Sequence, residues 1–160
     1  MRKKPPIDAV VPPAEAVRPA VGAVRPAAGA VRIAAGAAAI ATVAAGLGVR
    51  AVADGDLAKY AGDALYTVLV HALVVVLAPR LRPGTAAGTA LAVSWAVELA
   101  QLTGVPGELA RASTAARLVL GSTFNAPDLL WYAVGAAAAW ALHAAARRFR
   151  GRVWPDPCEG

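Results

Sequence analysis

Four long apolar stretches, separated by polar loops, constrain this chain more than any other feature of its sequence. A helix needs about 20 apolar residues to cross a hydrocarbon core of about 30 Å, and each stretch is close to that length. Backbone polar groups cannot stay unpaired in lipid, so such a segment crosses as a helix. The sequence therefore predicts an all-α integral membrane protein, a four-transmembrane-helix bundle, with spans at residues 33–49, 61–77, 85–102 and 128–146.

The composition supports this class of protein and argues against several others. Of the 160 residues, 58% are hydrophobic and only 16% are charged, which is far from an ordinary soluble domain. Cys158 is the single cysteine, so the chain contains neither an intrachain disulfide nor a paired thiolate motif. His71 and His143 fall on different predicted helices, without a second ligand at helical spacing. We predict no metal site and no cofactor.

The first 32 residues form a separate region. The units AVRPAVG, AVRPAAG and AVRIAAG follow one another from Ala16 to Gly36, and the first two contain proline. Proline at this spacing removes helix hydrogen bonds, and no leucine seam supports a coiled coil. We therefore predict a disordered low-complexity tail at 1–32, a membrane domain at 33–146 and a cytoplasmic basic tail at 147–160.

The first span leaves one alternative open. A basic leader, an apolar core and the AVA triplet at 51–53 resemble a signal peptide with its cleavage site. The leader is unusually long, Arg50 interrupts the cleavage region, and three further apolar stretches follow. These features favour retention of the first span as a helix.

The distribution of lysine and arginine predicts the orientation of the chain. With the N-terminus in the cytoplasm, twelve of the 16 basic residues lie on the inner side. We therefore expect both termini to be cytoplasmic. This topology accounts for the net charge of +6 without nucleic acid as a partner. The four basic residues outside are Arg50, Lys59, Arg111 and Arg117.

Polar residues recur at helical spacing inside three of the predicted spans. Such stripes avoid lipid, so we expect them to turn inward and meet near the extracytoplasmic side. Three carboxylates would then need a counter-charge, and Arg111 in the last loop is the expected partner of Glu98. Asn125 is expected to cap the fourth helix. The predicted outward-facing polar pocket comprises Tyr60, Asp63, Glu98, Gln101, Arg111, Asp128 and Tyr132.

Three motifs in this region carry a resemblance to a known family. KYAGDALY, SWAVELAQL and LVLGSTFNAPDLLWYAVG resemble the motifs of the bacterial membrane family of domain of unknown function 2809, over about residues 33 to 145. A weaker likeness to VanZ-like membrane proteins rests on the Glu-x-x-Gln helix, although Tyr132 stands where those proteins have asparagine. The first resemblance implies that family motif positions are occupied by Lys59, Tyr60, Gly62, Asp63, Glu98, Gln101, Arg111, Gly121, Phe124, Asp128, Tyr132 and Gly135.

Two functional hypotheses remain. In the first, the pocket binds or processes an envelope or lipid-linked molecule, with Arg111 holding an anionic group and Glu98 or Asp63 handling a proton. In the second, the polar cluster only holds alanine-rich helices together, in a structural or accessory protein whose partner is the bilayer. A proton path ranks third, because His71 is the only polar residue below Thr67 in its stripe. We find no catalytic triad or phosphate loop.

Overall fold

The computed structural model describes residues 28–114 and 123–153, and all regular structure in these ranges is helical. Most of the tail predicted at 1–32 lies outside these ranges. Arg117 and Gly121 also lie outside them. A 3₁₀ turn at Gln101–Thr103 follows the third helix. The helices are α1, Ala28–Val52; α2, Gly55–Leu77; α3, Pro83–Ala100; α4, Val105–Ala112; and α5, Ala126–Val153.

The helix boundaries follow from turn residues that the sequence displays. Gly55 opens α2 with a φ of 68°, and Gly104 precedes α4 with a φ of 76°, both in the left-handed region that glycine tolerates. Pro83 stands in the first turn of α3, where its missing N–H costs nothing. The breaks before α2 and α3 therefore fall at the turn residues Asp54-Gly55 and Pro83-Gly84.

The long helices run back and forth, so the bundle has two chemically different ends. At one end, Arg32 at the start of α1 donates to the Val76 carbonyl near the end of α2, over 3.1 Å. Arg147 of α5 donates to the Leu81 carbonyl before α3, over 3.3 Å. We call this the arginine end. At the other, the carboxylate end, the start of α2, the end of α3 and the start of α5 meet through Lys59, Glu98 and Asp128.

Small residues let α2, α3 and α5 pack closely. A Cβ on Gly135 of α5 would lie 2.2 Å from the carbonyl oxygen of Ala64 on α2, so the two backbones touch there. Ala86 and Ala90 of α3 are fully buried. Gly36 and Gly46 of α1, by contrast, have open space where a Cβ would stand. A small residue therefore allows close helix contact at Gly135, whereas Gly36 and Gly46 do not stand at a close contact between helices.

Helix α1 packs against α2 and exposes a strongly apolar face. Ile33, Ile40 and Leu47 have 76%, 74% and 65% of their surface exposed. A row of large exposed aliphatic side chains is unfavourable in water and suits a lipid environment. Almost none of the apolar window of α1 is buried inside the bundle.

Three helices in the described ranges are long and apolar enough to cross a membrane: α1, α2 and residues 126–149 of α5. The prediction of a membrane protein built from helices is supported in this form. Helix α3, predicted as a further span, is helical but has 18 residues, and Pro83, Gly84, Thr85, Thr89 and Glu98 lower its apolar content. The helices also extend beyond the predicted spans, from Ala28 in α1 and to Val153 in α5.

Candidate functional site

Glu98 lies at the centre of the carboxylate end, and both of its carboxylate oxygens accept hydrogen bonds. It is 1% exposed. Oε1 accepts from the backbone N–H of Asn125 over 2.7 Å, and Oε2 accepts from the Tyr132 hydroxyl over 3.0 Å. Asn125 immediately precedes α5, so the carboxylate of α3 stabilises the positive end of the α5 dipole and satisfies an N–H at its start.

Asp128 and Lys59 form the second part of this cluster. Oδ1 of Asp128 accepts hydrogen bonds from the Lys59 ammonium and from the Asn125 side-chain amide. Lys59 also lies 3.5 Å from Oδ2 of Asp63, four residues further along α2. The Lys59 side chain is 42% exposed, whereas Asp128 is buried. One ammonium therefore pairs with two carboxylates and remains partly exposed.

Aromatic side chains surround these charged groups. The Tyr60 ring stacks on Trp131 with centroids 5.3 Å apart and planes 15° apart, and the Lys59 ammonium lies 5.4 Å from the Tyr60 centroid. Trp95 donates its indole N–H to the Leu129 carbonyl over 3.0 Å. These contacts join α2 to α5 and α3 to α5 at the same level. Tyrosine and tryptophan are enriched at membrane interfaces because their rings are amphipathic.

Two further polar pairs lie between the carboxylate end and the arginine end. The Thr67 hydroxyl donates to the Ser94 hydroxyl over 3.0 Å, and both residues have no exposed surface. Farther along α2, Nε2 of His71 lies 3.2 Å from Nδ1 of His143 on α5. His71 is 6% exposed, and its own Nδ1 has no hydrogen-bond partner. The two histidines, expected to be separate, meet because α2 and α5 run parallel.

The structure brings most of the predicted site residues together. Tyr60 and Asp63 of α2, Glu98 of α3, and Asp128 and Tyr132 of α5 meet at the carboxylate end. Gln101 lies next to them, half-buried, directly after α3.

Arg111 is placed differently from the prediction. It lies on α4, its side chain is 78% exposed, and its ion pair is with Glu108 at 3.8 Å. Because α4 is short and surface-lying, it keeps Arg111 out of the bundle, and the partners of Glu98 come from α5 instead. The expected Arg111–Glu98 pair is not formed.

Sequence reasoning missed the parts played by Lys59 and Asn125. Lys59 stands four residues before Asp63, a spacing that places both on one face of α2 and that already signals an ion pair. Asn125 precedes α5 as predicted, but its side-chain amide donates to the Asp128 side chain, and its backbone N–H donates to Glu98 of another helix. No local pattern encodes that long-range contact.

The arrangement can hold helices together, exchange protons and contact a charged group near the surface. Within residues 28–114 and 123–153, no three histidine, cysteine, aspartate or glutamate side chains converge in a way that suits a metal ion. Within the cluster of Lys59, Asp63, Glu98 and Asp128, Lys59 is the most exposed side chain and Glu98 is the most deeply buried acid.

Three of the described helices are apolar enough to cross a membrane, and polar side chains pair between the helices. Together these features indicate a helical membrane protein with a buried polar cluster. The chain belongs to the family described as Protein of unknown function (DUF2809), whose model matches residues 52–136, more than half of the 160 residues. The match contains Lys59, Glu98, Asp128 and Tyr132 and excludes most of α1. No curated protein and no solved structure matches the chain. The VanZ-like resemblance stays a prediction.

Proposed function

We propose that this chain is a four-span membrane protein of structural or accessory function, in which the carboxylate end faces outward and braces the helices. The observation that carries the proposal is the hydrogen bonding of both Glu98 oxygens. Each accepts from a group at or near the start of α5, and the residue is 1% exposed, so this carboxylate ties α3 to α5 inside the bundle.

The direction of the helices supports α3 as the fourth span. Helix α2 ends at the arginine end, and α5 begins at the carboxylate end. If both cross the membrane, the chain between them must cross back. Helix α3 runs in that direction beside both, and 18 residues correspond to about 27 Å at about 1.5 Å per residue.

The orientation follows from the charges. Arg32, Arg80, Arg82, Arg147 and Arg148 belong to the arginine end, which therefore belongs in the cytoplasm. Phosphatase reporters fused after Asp56 or Glu108 should be active outside the cell, and those fused after Arg82 or Arg150 should be inactive. Activity after Arg82 would contradict the four-span arrangement.

The brace is tested by a double-mutant cycle on its buried hydrogen bond. Tyr132→Phe removes the hydroxyl and leaves Oε2 of Glu98 unpaired, which should lower the free energy of unfolding by about 1–3 kcal/mol. Glu98→Gln removes the charge that would be stranded, so the double variant should be less destabilised than the sum of the single variants. Chemical denaturation of the detergent-solubilised proteins gives the change in the free energy of unfolding for the two single variants and for the double variant. Tyr66→Phe is the matched control, because no hydrogen bond of its hydroxyl takes part in the brace. Strictly additive effects would contradict the brace.

A second function is favoured by the exposure of Lys59. Its ammonium is partly open beside the Tyr60–Trp131 stack, which suits an anionic, partly apolar envelope or lipid-linked molecule. Thermal stability in nanodiscs with and without an isoprenyl phosphate tests this. Under the binding hypothesis the lipid stabilises the wild type and the Arg50→Gln control but not Lys59→Gln. Equal stabilisation of all three would leave the brace as the better account.

A further inference from the structure

We propose that the bundle contains a proton path, which runs from the Lys59–Asp63 pair through the Thr67–Ser94 and His71–His143 pairs toward the arginine end. This function is separate from the brace, because it depends on the polar pairs in the middle of the bundle and not on Glu98.

The path follows one face of α2. Asp63, Thr67 and His71 are four residues apart, so they lie above one another with a rise of about 6 Å per step. The Asp63 side chain is 19% exposed and contacts Lys59, so it can exchange protons with the surroundings of the carboxylate end. A gap of this size is bridged by one water molecule between polar groups.

The middle step is the Thr67–Ser94 pair. Two hydroxyl groups 3.0 Å apart, fully buried between α2 and α3, can each accept and donate one proton. Such a hydroxyl pair joins two helices, and here it also places two groups that can carry a proton between Asp63 and His71. Alanines surround it: Ala86, Ala87 and Ala90 of α3 are buried on the arginine side of Ser94.

The next step is the histidine pair. Histidine is the side chain whose ordinary pKa lies nearest neutral pH, and its two nitrogens let it accept a proton on one side while it releases one from the other. His71 has this arrangement. Its Nε2 faces Nδ1 of His143, and its own Nδ1 has no hydrogen-bond partner among the described residues. Each such transfer leaves the ring neutral in its other tautomer, and charge moves only as H⁺.

The exit lies at the arginine end. His143 is half-buried, and Arg147 follows it by one turn of α5 and bonds to the Leu81 carbonyl. The titratable and charged groups that line the route in the described residues are Lys59, Asp63 and His71 on α2, Glu98 on α3, and Asp128, Tyr132, His143 and Arg147 on α5.

The test is proton flux into vesicles that contain the full chain. The protein is reconstituted in phosphatidylethanolamine–phosphatidylglycerol vesicles with a trapped pH-sensitive dye, and a potassium gradient with valinomycin drives H⁺ inward. We expect faster acidification than in protein-free vesicles. Thr67→Val and His71→Leu should each slow the protein-dependent rate by about tenfold or more, the factor that corresponds to a small rise in the transfer barrier.

Thr42→Val is the matched control for Thr67→Val. The Thr42 hydroxyl bonds to the Ala38 carbonyl within α1, 2.8 Å away and off the route, so this variant should conduct like the wild type. Ser94→Ala provides a second break in the path with less change of volume, and size-exclusion profiles identify any variant that fails to fold. A wild-type rate equal to that of empty vesicles overturns the proposal, and so do folded Ser94→Ala and His71→Leu proteins that conduct at the wild-type rate. Neither outcome affects the brace, which is measured by unfolding.

Discussion

The two ends of the bundle use charge in opposite ways. All six acidic residues of the described ranges lie at the carboxylate end, where Glu98 and Asp128 are buried and bond to side chains or loops of other helices. The arginine end has no acid in the same ranges. Its contacts run from Arg32 and Arg147 to backbone carbonyls, on the surface.

This difference separates two structural problems. Buried side-chain pairs specify which helices meet and in what register, because a misplaced partner leaves a polar group unpaired in an apolar environment. Exposed arginines tolerate many arrangements, since any nearby carbonyl or head group accepts their hydrogen bonds. The carboxylate end therefore specifies the packing, and under the proposed topology the arginine end directs the orientation in the membrane.

The largest effect is expected for Gly135→Ala, which separates the helices near the carboxylate end. The new methyl group would lie 2.2 Å from the Ala64 carbonyl, a backbone atom that cannot move without shifting α2. Overpacking of this kind costs about 1–3 kcal/mol, and the displaced helices also lose the Lys59–Asp128 and Tyr132–Glu98 contacts. We expect the free energy of unfolding, measured by chemical denaturation in detergent, to fall by about 3 kcal/mol or more.

Gly36→Ala is the matched control. It is the same substitution in a helix, but a Cβ at Gly36 meets nothing within 4 Å. Alanine is a better helix former than glycine by about 1 kcal/mol, so this variant should be unchanged or slightly stabilised. Equal destabilisation by both variants would show that the close approach of α2 and α5 does not hold the bundle together.

Much of this contrast was predictable from the sequence. Apolar length predicted the helices, glycine and proline predicted their ends, and helical spacing predicted that Asp63, Glu98 and Asp128 share an interior face. Each of these inferences uses residues within one helix, or the polarity of a whole segment. The same local character explains why the family motifs could be recognised in the chain.

The partners could not be predicted, because they depend on how far apart helices lie and how they are rotated. The spacing of Lys59 and Asp63 signals one pair within α2, and guanidinium geometry favours Arg111, but neither tells which cation reaches the carboxylates of other helices. The structure chooses Lys59, since α4 carries Arg111 away from the bundle. The His71–His143 pair was missed for the same reason: no sequence interval of 72 residues signals a contact.

A smaller effect is expected at the arginine end. Arg32→Ala and Arg147→Ala each remove one exposed hydrogen bond to a carbonyl, which contributes about 1 kcal/mol or less. The double variant still leaves ten basic residues on the predicted inner side against four outside, so orientation should be retained. Unfolding measurements and a reporter after Glu108 check the two expectations. If the arginine variants lose more unfolding free energy than Tyr132→Phe does, the arginine end contributes more to the packing than the carboxylate end.

The smallest effect is expected for Arg111→Ala, although this residue stands at the carboxylate end and at a predicted family position. Its ion pair with Glu108 is long, and both side chains are more than three-quarters exposed, so the pair contributes about 0–1 kcal/mol. Lys59→Ala removes a similar charge from the same end but leaves Asp63 and Asp128 without their shared cation, and it should cost several times more. The free energies of unfolding of these two variants, measured side by side, decide which cation stabilises the carboxylates. Equal destabilisation by Arg111→Ala and Lys59→Ala would contradict this expectation. It would indicate that α4 packs onto the bundle in the membrane, where Arg111 could pair with Glu98 as the sequence predicts.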